Sequence, residues 1–167
     1  MGNGNLGRRA FVLGVLSAPL VARGALAQSC PTGRVTITGS FGKAAFNVDI
    51  ADTESTRAQG LMHVESMPLS QGMLFVYDRP QQMSFWMRNT LIPLDMLFLD
   101  DAGVIRHIHH RAQPLDESVI SPGPMLLRGV LEINGGLARR LGIEEGDVLR
   151  HPAFVSEQEP WSCDTAD

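Results

Sequence analysis

The most apolar stretch of the chain, residues 83–99, alternates hydrophobic and polar positions in the way that β-strands do. Residues 83–87 and residues 94–99 each place alternate hydrophobic side chains on one face, which predicts two strands. The second run is also apolar on its other face. Asp95 is therefore predicted to lie within a strand that is covered on both sides.

A carboxylate at that position needs a partner, because burying an unpaired charge costs several kcal/mol. The sequence offers the Arg88 guanidinium, or the backbone N–H groups and hydroxyl of Asn89 and Thr90 across the intervening turn, with Arg57 as a second candidate cation. Two interpretations stay open. The cluster is either a purely structural contact or the floor of a ligand site.

The same alternation predicts further strands before and after the central stretch, at residues 34–38, 44–51, 73–77, 104–111, 126–133 and 148–151. Two short helices are predicted, one capped by Asp52 or Thr53 and ending before Gly60, the other capped by Asn134 and ending at Gly142. These patterns favour a mainly β fold, a compact antiparallel β-barrel or sandwich of about seven strands with two short helices.

The first 27 residues have the succession of regions that is typical of an export signal peptide. Arg8 and Arg9 precede an apolar stretch of about a dozen residues, and residues 25–27 read A-x-A, so we expect cleavage after Ala27. Both a general secretory and a twin-arginine signal fit this pattern. Residues 28–167 are then a single exported domain, periplasmic or secreted, without a stable membrane span.

The remaining chain has two cysteines, Cys30 and Cys163, one near each end. Disulfides persist in exported proteins, so the even count predicts a bridge between them, with two free thiols as the alternative. A lipid-modified Cys30 is disfavoured, because the residues before it lack the leucine expected three positions upstream.

Overall charge argues against a nucleic-acid partner. The formal net charge is −4, the isoelectric point is about 5.7, and no basic stripe with interleaved aromatic residues is present in the sequence.

Several segments between residues 35 and 152 form a recognisable set: RAQGLM at 57–62, GMLF at 72–75, FWMRNTLIPLD at 85–95, VLE at 130–132, GI at 142–143 and GD at 146–147. This set resembles the DUF192 family of bacteria and archaea. The resemblance implies a compact β-rich domain, often exported, for which no activity is established.

Histidines invite a metal interpretation, since His107 and His109 share a face of one predicted strand and thioethers are suitable ligands for copper(I). The methionines, however, occupy core-facing positions, where an adaptable apolar side chain is the simpler explanation. We therefore expect no metal site and no cofactor.

Catalysis has only weak support in the sequence. No G-x-S-x-G motif is present, and Asp95 with Glu132 is the carboxylate pair that would suit a hydrolase of envelope glycans or peptides. The pattern of residues does not show that these two approach each other.

Binding is the favoured function, for a small molecule or an envelope component, with a structural or partner-docking role as a further alternative. Forked donors and aromatic walls suit such a site. The predicted ligand-binding residues are Arg57, Met62, Phe85, Trp86, Arg88, Asn89, Thr90, Asp95 and Glu132.

Overall fold

The computed structural model describes residues 1–2 and 32–154 of the chain. Most of the expected signal segment, together with Cys30 and Cys163, lies outside these residues, so signal cleavage and the disulfide stay predictions. Within the described part, no helix is long and apolar enough to cross a membrane.

Within residues 32–154, seven strands form one curled sheet, a half-barrel, in the order β5-β4-β6-β3-β2-β1-β7. The strands are β1 (Arg34–Gly39), β2 (Gly42–Ala51), β3 (Gln71–Gln81), β4 (Leu94–Leu99), β5 (Ile105–Ala112), β6 (Leu127–Asn134) and β7 (Val148–Arg150). The helices are α1 (Glu54–Gln59) and α2 (Leu137–Leu141), and a single 3₁₀ turn, Pro152–Phe154, follows β7. The predicted mainly β fold with two short helices is confirmed.

The sheet is mixed, which corrects the purely antiparallel expectation. β2 and β3 run parallel, in register from Asn47 opposite Gln71 to Ala51 opposite Phe75. The reason is the connection between them, which contains α1 and returns the chain to the end of the sheet where β2 began. Such a crossover aligns two strands in the same direction, whereas a tight hairpin would reverse the second one.

The two edges of the sheet meet where β5 begins. Ile105 N donates to Asp147 O at 2.9 Å, and Leu149 N donates to Gly103 O at 2.8 Å. An isolated antiparallel bridge between Val104 and Val148 lies at the same point. These bonds satisfy edge groups that would otherwise be open for pairing with another chain.

Each face of the sheet carries its own hydrophobic core. The first core contains Leu97, Leu99 and Leu131, while the second contains Met96 and Phe98. All six residues of β4 are buried, so the prediction that this strand is covered on both sides is confirmed. Alternation along β4 and β6 decides which side chain enters which core.

The first predicted run of the central stretch, residues 83–87, is not a regular strand. It is an extended segment with one isolated bridge, between Phe85 and Ile120. Its alternation is nevertheless real, because Met83 and Met87 are buried whereas Trp86 is 49 % exposed. The segment lies against the irregular loop 113–126, to which it is joined by this bridge and by a bond from Met87 N to Asp116 O at 2.8 Å.

The helix caps differ in how well they were predicted. Thr53 caps α1 as expected, accepting from Thr56 N at 3.1 Å. Asn134 does not cap α2, because it is still the last residue of β6 and its amide donates to Met67 O at 3.1 Å. The N-cap of α2 is Gly136, which has φ 84° and no side chain to offer.

We predict that Gly72→Ala destabilises the fold by about 2 kcal/mol or more. A Cβ at Gly72 would collide with the Glu132 carbonyl oxygen of the neighbouring strand and would force β3 and β6 apart. Gly33→Ala is the matched control, since its Cβ would meet only Val48 O, at 3.7 Å. Urea unfolding measures the difference, and equal effects of the two substitutions would contradict the prediction.

Candidate functional site

Asp95 is fully buried in β4, and its carboxylate accepts three backbone hydrogen bonds. Oδ1 accepts from Arg111 N and from Gly136 N, and Oδ2 accepts from Ala138 N, each at 2.8 Å. Charge-assisted bonds of this kind offset the cost of removing the carboxylate from water. The buried position was predicted correctly.

This carboxylate joins three elements that are far apart in sequence. Because Gly136 has no side chain, Asp95 takes the role of the missing cap and satisfies N–H groups at the start of α2. Its third bond holds Arg111, which lies in a β-bulge where one residue of β4 faces two of β5. The contact is therefore structural in the first instance.

The predicted partners of Asp95 are wrong. Arg88, Asn89 and Thr90 lie in the segment whose buried neighbours belong to the second core, whereas Asp95 is paired opposite Ile133 on the face of the first core. Residues directly opposite each other in a sheet point to the same face, so Asp95 shares the face of Ile133. The sheet therefore lies between Asp95 and the turn residues.

The polar residues of the turn bind locally instead. The Arg88 guanidinium lies 5.6 Å from the centre of the Trp86 ring, on the surface. Asn89, with φ 53°, directs its amide to Met62 Sδ at 3.8 Å. The buried Thr90 hydroxyl donates to Arg88 O at 3.3 Å. These contacts bring Met62 and Asn89 together at the edge of the second core.

Phe85 is the aromatic residue that covers the second face of the sheet. Its ring packs edge-to-face on Phe75 at 5.2 Å and on Phe98 at 5.9 Å between ring centres. Phe85 therefore bridges β3 and β4 across the strand that lies between them, β6.

Arg57 approaches the same face from α1. It donates to the backbone oxygens of Asp52 and Val76, the latter at 2.9 Å, and its guanidinium lies 4.7 Å from the centre of the Tyr77 ring. Burial raises the pKa of the Tyr77 phenol, while the Arg57 charge lowers it and the Glu132 charge raises it. Tyr77 is thus within electrostatic reach of both groups.

Glu132 is a second acid buried in this sheet. It lies on β6 directly between Met73 of β3 and Met96 of β4, and it is only 4 % exposed. No residue that the structure describes donates a hydrogen bond to its carboxyl, and burial raises its pKa to about 8. The Glu132 carboxyl is therefore protonated in most molecules at pH 7.

Asp95 and Glu132 do not form a catalytic pair. Asp95 is opposite Ile133 and Glu132 is opposite Met96, so successive positions of β4 and β6 send the two carboxyls to opposite faces of the sheet. The arrangement required of a glycosidase, two carboxyls flanking one bond, is not present at these residues.

Methionines line the face that carries Glu132. We call this surface, the second-core side of β3, β6 and β4 together with Glu132, the methionine face. Six methionines belong to its core or pack against it, namely Met67, Met73, Met83, Met87, Met96 and Met125. From the sequence the methionines were interpreted only as individual core residues, although their alternating positions indicate that they share one face.

The histidines of β5 divide between the two faces. His107 Nδ1 lies 3.1 Å from Glu145 Oε1, and the buried Nδ1 of His110 lies 3.9 Å from Asp95 Oδ1, too far for a hydrogen bond. Burial lowers the pKa of His109, and His107 and His110 lower it further. In residues 32–154, no group of three or more His, Cys, Asp or Glu side chains is placed to hold a metal ion.

Two concave regions flank α2, and sequence reasoning had identified neither. One, of about 380 Å³, is bordered by His110, Arg139 and Glu145. The other, of about 290 Å³, is bordered by Arg111, Arg139 and Arg140. Both depend on the β-bulge at the end of β5 or on the placement of α2, and these features have no local sequence signature.

The fold and these contacts define a small mixed-sheet β domain with a carboxylate held by three backbone bonds on one face, and on the other a carboxyl that is 4 % exposed and receives no hydrogen bond from the described residues. The family model DUF192, described as "Uncharacterized ACR", matches residues 35–151, which is more than half of the chain. The chain therefore belongs to the DUF192 family, as its central motifs indicated.

Two solved structures share this fold. A protein of Sinorhizobium meliloti 1021, described as a candidate transcription regulator, is 38% identical with a TM-score of 0.69, over 72% of this chain and 93% of that one. A protein of unknown function from Novosphingobium aromaticivorans DSM 12444 is 38% identical with a TM-score of 0.66, over 80% and 99% of the two chains. A comparison with curated proteins finds no match.

We expect Asp95→Asn to lower the free energy of unfolding by about 3 kcal/mol. An amide keeps one acceptor oxygen but turns an N–H toward a backbone donor, and each lost bond to a charged group is worth roughly 1.5–3 kcal/mol. Asp101→Asn, at an exposed turn position, is the control. Urea unfolding curves that coincide for the two variants would show that Asp95 is not a structural contact.

Glu132 should make the fold less stable as the pH rises. The pKa of Glu132 is about 8 in the folded state and near 4.5 in the unfolded state, so the folded state binds this proton more tightly. The stability that the bound proton contributes is therefore complete below the unfolded pKa and is lost as the pH rises through the folded pKa. The slope should approach about 1.4 kcal/mol per pH unit between these values. Glu132→Gln should remove that slope, and urea unfolding from about pH 5 to about pH 8 measures it. Parallel profiles for both proteins would refute the shift.

Proposed function

We propose that this protein is exported and binds a small, largely apolar molecule at the methionine face, with the Glu132 carboxyl making the one central polar contact. The observation that carries the proposal is that Glu132 is buried and receives no hydrogen bond from the described residues. Ordinary cores rarely leave a polar group in that condition, and such groups gather at functional sites.

A buried polar group without a partner destabilises a fold by roughly 1–3 kcal/mol, and a hydrophobic side chain at Glu132 would avoid that cost. A ligand with one hydrogen-bonding group would supply the missing partner. The strong compensation at Asp95, in the same sheet, shows that this fold can satisfy a buried carboxylate through its own backbone.

The surroundings of Glu132 favour an apolar ligand body. Thioethers are flexible and polarisable, so methionines adapt to ligands of different shape. Met73 is partly buried rather than fully buried, and Phe85 and Met62 are likewise only partly covered. These side chains supply the walls, and the Asn89 amide beside Met62 supplies a polar group at the edge.

The proposal that the protein is exported is supported only by the residue pattern at its N-terminus. Arg8 and Arg9, the apolar stretch after them and the A-x-A motif are the supporting observations.

A second candidate, docking onto another envelope component, is supported by exposed apolar side chains. Trp86, Leu115 and Val119 are 49%, 59% and 73% exposed. Backbone bonds at 2.9 and 2.8 Å, from Phe85 N to Ile120 O and from Met87 N to Asp116 O, join the segments that carry them. Neighbouring exposed apolar residues of this kind are typical of interaction surfaces.

The experiment is a thermal-shift screen of small apolar compounds that carry one amide, hydroxyl or carbonyl group. Wild-type protein is compared with Glu132→Leu. Without ligand, Glu132→Leu should melt at a higher temperature, because it removes an unsatisfied polar group worth about 1–3 kcal/mol. The compounds that stabilise the wild type should leave Glu132→Leu unchanged.

Glu144→Leu is the matched control, since the same replacement is made at an exposed glutamate beside α2. It should respond to ligand as the wild type does. If no compound stabilises the wild type more than Glu132→Leu, the methionine face is a core without a binding role.

A further inference from the structure

The concave region of about 290 Å³ beside α2 is lined by three arginines, Arg111, Arg139 and Arg140. Its other lining residues include Leu69, Asn134 and Leu137, and no Asp or Glu is among them. The protein as a whole is acidic, with a net charge of −4, so this concentration of positive charge is not a reflection of its composition.

None of these three guanidinium groups forms an ion pair with a carboxylate of the described residues. Arg106, by contrast, has its Nη2 only 2.6 Å from Asp100 Oδ2. All three arginines are exposed, so water screens their mutual repulsion, and the buried Asp95 carboxylate beneath Arg111 N and Gly136 N supplies one negative charge nearby. Three positive charges against one leave an excess that an anion from outside could balance.

The backbone on both sides of this cavity is held by one group. Asp95 Oδ1 accepts from Arg111 N and from Gly136 N, each at 2.8 Å. Arg111 is thereby kept at φ 52°, a conformation that non-glycine residues seldom adopt. A Cβ at Gly136 would lie 2.9 Å from Arg111 Nε, so the glycine leaves room for the arginine to cross α2. Such fixed geometry reduces the entropy lost on binding.

We propose that this cavity, which we call the arginine cavity, binds a small multivalent oxyanion. Guanidinium groups grip planar carboxylates and tetrahedral phosphates through paired N–H bonds, and three of them suit a ligand with more than one negative charge. The volume, about 290 Å³, lies just below the usual range for small-molecule sites, which favours a compact metabolite over a polymer.

This inference does not rest on the proposed function. The arginine cavity is built on Arg111, α2 and the Asp95 bonds, whereas the methionine face is built on Glu132 and the thioethers. Glu132→Leu should leave oxyanion affinity within about twofold of the wild type. Each of the two proposals can therefore be refuted without refuting the other.

Calorimetric titration of the purified protein with succinate and with inorganic phosphate tests the inference. Succinamide, which has the shape of succinate without its charge, is the ligand control. We expect saturable binding of at least one anion and none of succinamide. Arg111→Gln and Arg140→Gln should each weaken binding about tenfold or more, the effect of losing one charge-assisted contact.

Arg79→Gln is the variant control, because it removes an equal charge from an exposed position on β3. It should change affinity by less than about twofold. Binding of succinate alone or of phosphate alone supports the site and identifies the oxyanion class. Absence of saturable binding for both anions, or equal weakening by Arg79→Gln and Arg140→Gln, would overturn it.

Discussion

The burial of one charge, the Asp95 carboxylate, is the constraint on which the arrangement around α2 depends. A carboxylate removed from water must be bonded on both oxygens, and here the donors are backbone N–H groups of Arg111, Gly136 and Ala138. A single side chain thereby joins β4 to the bulged end of β5 and to the first turn of α2. The helix has only five residues and no side-chain cap of its own, so this bond decides where it lies.

The same sheet contains a second buried acid, whose surroundings are apolar rather than rich in backbone donors. Glu132 is adjacent to the residue that pairs with Asp95, and alternation sends it to the other face. There it meets thioethers and aromatic rings instead of backbone donors, and its pKa rises to about 8. One face of the sheet thus has its acid fully satisfied, while on the other face no described residue donates a hydrogen bond to the acid. The arginine cavity lies close to Asp95, because the bulge and α2 that Asp95 holds also present Arg111 and Arg140.

Most of the fold could be predicted from local patterns. Leu94 to Leu99 was recognised as a strand covered on both faces, and Thr53 as a helix cap, because alternation and capping act over a few residues. The parallel direction of β3 and the cap of α2 were predicted wrongly. The direction of β3 depends on the path of the crossover that precedes it, and the cap of α2 depends on where the bulged end of β5 lies. Neither is indicated by the residues next to it in sequence. Of the residues in the two proposed sites, Glu132 and Met62 were singled out from the sequence, whereas Arg111, Arg139 and Arg140 were not.

The sequence by itself determined that Asp95 is buried and needs donors, since its neighbours along the strand are apolar on both faces. Only the tertiary structure decided which donors these are. Gly136 and Ala138 lie 41 and 43 positions away along the chain, and Arg111 lies 16 positions away. Arg88, much nearer in sequence, is separated from Asp95 by the sheet. Local alternation is set by the geometry of the backbone, and it sends Asp95 and Glu132 to opposite faces of the sheet. Which donors each acid meets on its face depends on packing between distant elements, because backbone N–H groups of α2 and of the β5 bulge reach only Asp95.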